Sequence, residues 1–254
     1  MRKIKTLFQI IASKLSWRFS NPGTFTLGGK ASKVVVIANG PSLSNTSLQG
    51  LEDTVKIGMN RIYLSDREDL KVDVLVVINE LIVEQYSEEL INLDIPVVTK
   101  WRFRSYFPSD TSNVFYVSPS FLGLRLAWPN SVLIGHTVTN VALQLALGSG
   151  AREIFIVGMD HNFNTSRLDR NRIEIREDEV DTNHFLPNYF PKGSKWETPD
   201  LISSELEYQN IKKFAEKNGV KIWDSTIRGK CDIFNKLEWK EAKSLLIKYQ
   251  QNGD

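Results

Sequence analysis

Cysteine is nearly absent: Cys231 is the only one in 254 residues. An intrachain disulfide framework and a cysteine-built zinc site are therefore excluded, and a reducing cytoplasm is the default compartment. Histidine is scarce too, with His136, His161 and His184 the only three, so a histidine-rich metal centre is excluded. Neither sign of charge dominates, since 32 Lys and Arg face 30 Asp and Glu for a formal net charge of +2. That balance rules out a protein held on nucleic acid by its overall charge, though not a local basic patch. No apolar run approaches the ~20 residues of a membrane-spanning helix. Repeats, low-complexity tracts, a Gly-Lys-Ser/Thr phosphate loop and a Gly-x-Gly-x-x-Gly loop are all missing. What is present is a 41% hydrophobic, 10% aromatic chain, enough for a sizeable core in one large domain or two small ones.

The apolar residues fall in short β-branched runs. Lys33–Ala38, Lys56–Met59, Val72–Ile78, Ile95–Thr99, Val114–Val117, Glu153–Gly158 and Val220–Trp223 read as strands. Continuous rather than alternating runs predict burial on both faces, as in a parallel sheet. Helical spacing runs from Val138 to Leu147, with Gly148 and Gly150 just past its end, and from Asp200 to Asn218, closed by Gly219. Strands alternating with helices predict an α/β fold with a doubly wound, mostly parallel sheet of Rossmann-like type. In such sheets ligands sit beyond the carboxyl ends of the strands.

Polar residues cluster at those ends. After the first strand come Asn39, Gly40, Pro41 and Ser42, a strand-to-helix turn whose free N–H groups would suit an anion. Asn60 and Arg61 follow the second strand, and Asn79 and Glu80 the third. Asn offers a donor and an acceptor together, which suits a sugar or a base edge, and Arg61 would pair with a phosphate. Gly135, His136 and Thr137 open the helix at Val138 as a second candidate phosphate cradle, and Asp160, His161 and Asn162 follow the strand at Glu153. All three histidines fall at strand ends or in the polar segment 162–197. An imidazole titrates near neutrality, so that placement favours an acid–base role for at least one of them. Each motif has an ordinary alternative as a cap, an Asx turn or a surface residue.

Two segments depart from the α/β pattern. Residues 162–197 are polar and aperiodic early, then rich in Pro and aromatics, which predicts a lid. Met1–Ser20 carries Arg2, Lys3, Lys5, Lys14 and Arg18 with no acid, and Ile4, Leu7, Phe8, Ile11 and Leu15 recur at helical spacing. Residues 1–22 therefore read as a basic amphipathic helix suited to an anionic membrane surface, or as a helix packed on the protein itself. Residues 30–245 would form one catalytic domain, with the lid at about 162–197.

The set VVVIANGPSL, Gly58-Met59-Asn60-Arg61, Gly135-His136-Thr137 and IFIVGMDHN resembles, in order and spacing, one superfamily. It comprises bacterial sialyltransferases that use CMP-sialic acid, motility-accessory-factor (Maf) flagellin glycosyltransferases and 6-hydroxymethylpterin pyrophosphokinase-like proteins. Asn183-His184-Phe185, Tyr189-Phe190, Trp196, Pro199 and the tail from Asp224 look most like the Maf-related branch. The resemblance covers roughly Lys33 to Trp239.

It implies that Asn39, Gly40 and Ser42 hold the donor's phosphate and ribose, and that Asn60 and Asn79 face the donor sugar or ribose. His136 and Thr137 would stand where the sialyltransferases carry a Ser-Gly pair on the nucleotide. Asp160, His161 and Asn162 would border the phosphate, where those enzymes place a Tyr that this chain lacks. Their catalytic His lies a few residues beyond a first His; here the first matches His184, and the later slot reads close to Asn188. The resulting expectation is an inverting glycosyltransferase with His184 as base and His161 and Asp160 in reserve. Its donor would be a CMP-linked ulosonic or nonulosonic acid such as sialic acid or Kdo, and its acceptor a glycan, lipid-linked saccharide or protein hydroxyl. Such chemistry implies no metal cofactor and no nucleic acid. A cytoplasmic enzyme of cell-surface polysaccharide biosynthesis, peripheral on the inner membrane face and compatible with a homo-oligomer, would follow. Two other readings stay open: an ATP-dependent pterin pyrophosphokinase with Mg²⁺ on Asp160 and Glu80, and an inactive nucleotide-binding scaffold.

Overall fold

The β-branched runs form the strands, as read from a computed structural model that describes residues 25, 27, 31–119, 131–132, 135–163 and 172–252. The expected helix at 1–22 lies outside the described residues. In chain order the strands are β1 (Lys33–Ile37), β2 (Val55–Met59), β3 (Val74–Val77), β4 (Val97–Lys100), β5 (Val114–Pro119), β6 (Ser131–Val132), β7 (Glu153–Val157), β8 (Ile173–Ile175), β9 (Lys195–Glu197), β10 (Lys221–Asp224) and β11 (Asn235–Lys236). All but β8 and β9 join one sheet in the order β11-β10-β7-β1-β2-β3-β4-β5-β6. Every described pairing in that sheet is parallel. β8 and β9 form a separate antiparallel hairpin.

Helices α1 (Glu80–Ile91), α2 (Val138–Gly148), α3 (Leu201–Lys217) and α4 (Trp239–Asn252) lie between and after the strands. Each of the first three starts on a side-chain cap that satisfies an orphan N–H. Asn79 accepts from Leu81 N, Thr137 from Thr139 N, and Asp200 from Ser203 N. The sheet is buried on both faces. Val34 and Val36 point into one core with Val141, Leu145 and Ile211 of α2 and α3. Val35 and Ile37 point into the other, with Phe155, Tyr189, Trp196 and Trp239. Two covered faces are why the strands carry no polar alternation.

The topology fixes where a ligand can sit. From β1 the chain proceeds outward to β6, then returns to lay β7 against the other side of β1. The turns leaving β1 and β7 therefore diverge and leave a crevice between them at the carboxyl edge.

Two expectations are corrected here. The turn after β1 is not a helix N-terminus but a single 3-10 turn, Pro41–Asn45. It closes on itself, because the Thr46 hydroxyl donates to Ser42 O at 3.0 Å and Thr46 N to Leu43 O. The second half of the segment 162–197 is a packed element rather than a loose cover. Phe185, Tyr189, Phe190 and Trp196 are all buried, Tyr189 completely. Aromatic side chains bury large areas, and these four outweigh the polar residues around them. Backbone bonds fasten the segment as well: Phe185 N donates to Asn39 O at 2.9 Å and Ser44 Oγ to Phe185 O at 3.0 Å. The first half of that expected lid, residues 164–171, lies outside the described residues.

Candidate active site

The crevice at the carboxyl edge contains two adjoining chambers. The inner one, about 150 Å³, lies against the β1 and β7 turns and is lined by Asn39, Gly40, Asn60, Asp160, His161, Asn162 and Tyr208 among others. The outer one, about 410 Å³, lies beyond β3 and β4 and is lined by Asn79, Glu80, Lys100, Arg102, Trp196 and Asp200 among others. Asn60, His136, Thr137 and His184 line both.

Two asparagines present unsatisfied acceptors. The Asn39 amide donates to Met59 O at 2.8 Å, which fixes its orientation and leaves Oδ1 buried without a partner. Asn60 stands in the left-handed region at φ 51, and its buried Oδ1 also has none. An unpaired buried acceptor costs about 1–3 kcal/mol, so a pair beside one cavity marks a place where a ligand's donors would be received. Asn79 is different, since its Oδ1 already caps α1.

Both expected phosphate cradles are filled by the protein's own carboxylates. Asp160 accepts from Ser42 N at 3.0 Å and from Ser42 Oγ at 2.7 Å. Ser42 is thus spent on Asp160 and lines neither chamber. Gly40 is required by the same packing, because a Cβ there would meet the Asp160 carboxylate and Gly158 O. At the start of α2, Glu207 accepts from His136 N at 2.7 Å and from Asn140 Nδ2 at 3.0 Å, and a Cβ on Gly135 would run into it. Burial pushes both carboxyl pKa values up, against the hydrogen bonds that favour the ionised forms. A carboxyl group of the protein already accepts from the N–H groups of each turn.

Arg61 likewise does not face the crevice. It is buried, its guanidinium donates to Tyr189 O and lies 3.4 Å from Glu89, and it stacks 3.7 Å over the Tyr86 ring. The Arg61 backbone N–H donates to the Tyr189 hydroxyl oxygen at 3.0 Å. Arg61 therefore anchors the aromatic segment from below. The Mg²⁺ pairing expected of Asp160 and Glu80 also separates in space. Asp160 borders the inner chamber, while Glu80 borders the outer one as an ion-pair partner of Arg102. Among the described residues no group of three or more His, Cys, Asp and Glu side chains is placed to hold a metal.

The histidines differ sharply. His161 stands at φ 53 with its ring almost wholly buried, Nε2 3.0 Å from Glu205. His136 is exposed at the mouth between the chambers, Nδ1 3.9 Å from Asp200. His184 faces both chambers and is held on three sides. Its Nδ1 lies 2.9 Å from Asp181 Oδ2, its ring stacks on Tyr189 at 4.0 Å and 7°, and Phe190 meets it edge-on at 5.3 Å. Burial alone would raise the Asp181 carboxyl. His184, the Asn183 N–H and Arg176 outweigh it and hold the group below the usual carboxylate range. An ionised Asp181 puts the imidazole proton on Nδ1 and leaves the Nε2 lone pair free.

Sequence reasoning passed over Asp181 as a partner, and Lys100, Arg102 and Glu207 altogether. Lys100 is the last residue of β4 and Arg102 lies two positions beyond it, so the strand-end rule applied to β4 as to β1 would have found them. Glu207 sits inside a helix and carries no local signal. The Lys100 ammonium lies 5.4 Å from the Phe103 ring centre, and burial and Arg102 lower its pKa to about 8 against the pull of Glu80, Glu197 and Glu207.

The fold and crevice together define an α/β protein with a two-chambered cleft at a topological switch point. No protein-family model matches the chain, and no curated sequence does. Among solved structures the chain is similar to sialyltransferases of Campylobacter jejuni. The monofunctional alpha-2,3-sialyltransferase Cst-I aligns at 12% identity over 85% of this chain and 84% of that one, with a TM-score of 0.49. CstII in complex with the substrate analogue CMP-3FNeuAc aligns at 13% identity over 81% and 86%, with a TM-score of 0.44. An alpha-2,3-sialyltransferase in apo form aligns at 14% identity over 85% and 84%, with a TM-score of 0.47.

Proposed function

We propose that this protein is an inverting glycosyltransferase that uses a nucleotide-activated sugar, with His184 as general base. The observation that carries the reading is the Asp181–His184 pair at the junction of the two chambers. A base oriented by a carboxylate and open to two adjacent cavities suits the joining of two substrates. The inner chamber would take the nucleotide, whose N–H and O–H donors meet Asn39 Oδ1 and Asn60 Oδ1. The outer chamber would take the acceptor.

His184 Nε2 removes the acceptor hydroxyl proton while Nδ1–H donates to Asp181. The acceptor oxygen bonds to the anomeric carbon from the face opposite the phosphate, and the anomeric C–O bond to phosphate breaks. The nucleotide leaves with that electron pair. His136, exposed at the mouth, is the group best placed to meet the phosphate, since Ser42, the first turn of α2 and the Thr137 hydroxyl, which caps Thr139 N and bonds the Tyr208 hydroxyl, are taken. The choice of a CMP-linked ulosonic acid as donor rests on the motif resemblance in the sequence.

Thermal unfolding with CMP, UDP, GDP and ATP, each with and without Mg²⁺, tests the reading. Stabilisation by CMP at both metal conditions is expected; ligand at a hundred times its Kd adds about 2.7 kcal/mol. Stabilisation by ATP only with Mg²⁺ would overturn the glycosyltransferase in favour of a pyrophosphokinase. No response to any nucleotide would leave the scaffold.

A further inference from the structure

We infer that Lys100 is an anion-recognition residue and that the saccharide entering the outer chamber carries a carboxylate or phosphate group. The geometry rests on three observations. Lys100 ends β4 and lines the outer chamber. The other cation of that wall, Arg102, is already ion-paired with Glu80. Among the described residues the Lys100 ammonium has no hydrogen bond and no ion pair, only the Phe103 ring below it. A desolvated ammonium with no ion-pair partner in contact is destabilising, and an entering anion relieves that cost.

The surrounding charges agree. Glu80 on α1 is drawn to Arg102. Glu207 on α3 accepts from His136 N and Asn140. Glu80, Glu207 and Glu197 on β9 all attract the ammonium from beyond ion-pair distance, and Arg102 repels it. His136, His184 and Asp200 complete the ionisable lining, with Asp200 turned toward capping α3. Among the described residues no carboxylate comes within ion-pair distance of Lys100, and burial together with Arg102 outweighs the longer-range pull of Glu80, Glu197 and Glu207. An amine poised near pH 8 binds an anion most strongly when protonated. Below about pH 8 the ligand meets a charged partner, and above it binding must take up a proton. Affinity therefore falls as the pH rises through that value.

That the occupant is the acceptor rests on the glycosyl-transfer reading; the anion site itself does not. Pulse acetylation of the full chain across pH, followed by mass spectrometry of the Lys100 peptide, tests it. Lys100 should become reactive near pH 8, well before surface lysines at about 10.4. Glucuronate or glucose 6-phosphate should slow its modification about tenfold near neutral pH, since pairing restores the unreactive ammonium. Glucose should not, and comparing the two acids separates a carboxylate ligand from a phosphate one. Equal protection by glucose, or none by either acid, overturns the proposal. If CMP stabilises the protein yet neither acid protects Lys100, glycosyl transfer stands and the anion site falls. If an acid protects Lys100 yet no nucleotide binds, the anion site stands and the acceptor assignment falls.

Discussion

His184 and Asp181 lie one helical turn's spacing apart in sequence, and their contact has a kinetic signature. Removing the imidazole removes the proton acceptor without touching Asn39 or Asn60. His184→Ala should lower turnover roughly 10²–10⁴-fold, the span usual for general acid–base groups. The thermal shift given by CMP should persist. Wild-type turnover in that variant would discard His184 and leave His161 and Asp160. His161 is already paired with Glu205 and Asp160 with Ser42, so each would first have to exchange a hydrogen-bond partner. The same restriction separates the three histidines physically: one locked, one exposed, one oriented and facing a cavity.

Among the larger elements, two glycines of positive φ, Gly158 in the turn leaving β7 and Gly150 in the turn entering it, differ in what surrounds them. Gly158 adopts φ +71, and a Cβ there would press on Ala38 O of the facing turn. Gly150 also has a positive φ, +90, but a Cβ would meet nothing within 4 Å. Gly150→Ala should therefore cost only the left-handed backbone penalty, about 1–2 kcal/mol. Gly158→Ala should cost that plus a further 1–3 kcal/mol, roughly, because a backbone carbonyl cannot rotate away as a side chain can. Urea denaturation of the two variants measures the difference. Equal losses would mean that the turns are not in close contact. The aromatic segment around His184 is held by comparable means, with Arg61 beneath Tyr189 and Asn39 O receiving Phe185 N. Its rigidity argues that His184 is positioned before any ligand arrives.

For the whole molecule, charge is distributed unevenly along the chain. Met1–Ser20 carries five basic residues and no acidic one while the protein nets +2, so the remainder is net acidic. Near an anionic lipid surface each basic residue contributes about 1 kcal/mol, screened by salt. The full chain should co-sediment with phosphatidylserine vesicles at low salt and be released by salt, whereas a chain beginning at Pro22 should not. Sedimentation indifferent to salt and lipid charge would refute a membrane role for this segment. Among the described residues no helix is long and apolar enough to cross a membrane.

The sheet and its site were readable to different depths. Val34 to Ile37 and Ile154 to Val157 needed no partner to declare themselves strands, since a β-branched run buried on both faces is a local property. The location of the cleft followed as well, because strands and helices in alternation leave ligands only the carboxyl edge. Which polar side chains stay open at that edge was not a local property. Ser42 and Asp160 are separated by 118 positions, His136 and Glu207 by 71, and Arg61 and Tyr189 by 128. Each pair spends, on the protein itself, a group that looked free for a phosphate. Lys100 is the converse, an ordinary residue in sequence whose ammonium has no ion-pair partner among the described residues, only the Phe103 ring. Local pattern therefore determined the elements and the edge that binds, because periodicity and propensity act within a few residues. Long-range pairing alone decided which of those side chains remain for a ligand, because hydrogen bonds and ion pairs are settled only when distant segments meet.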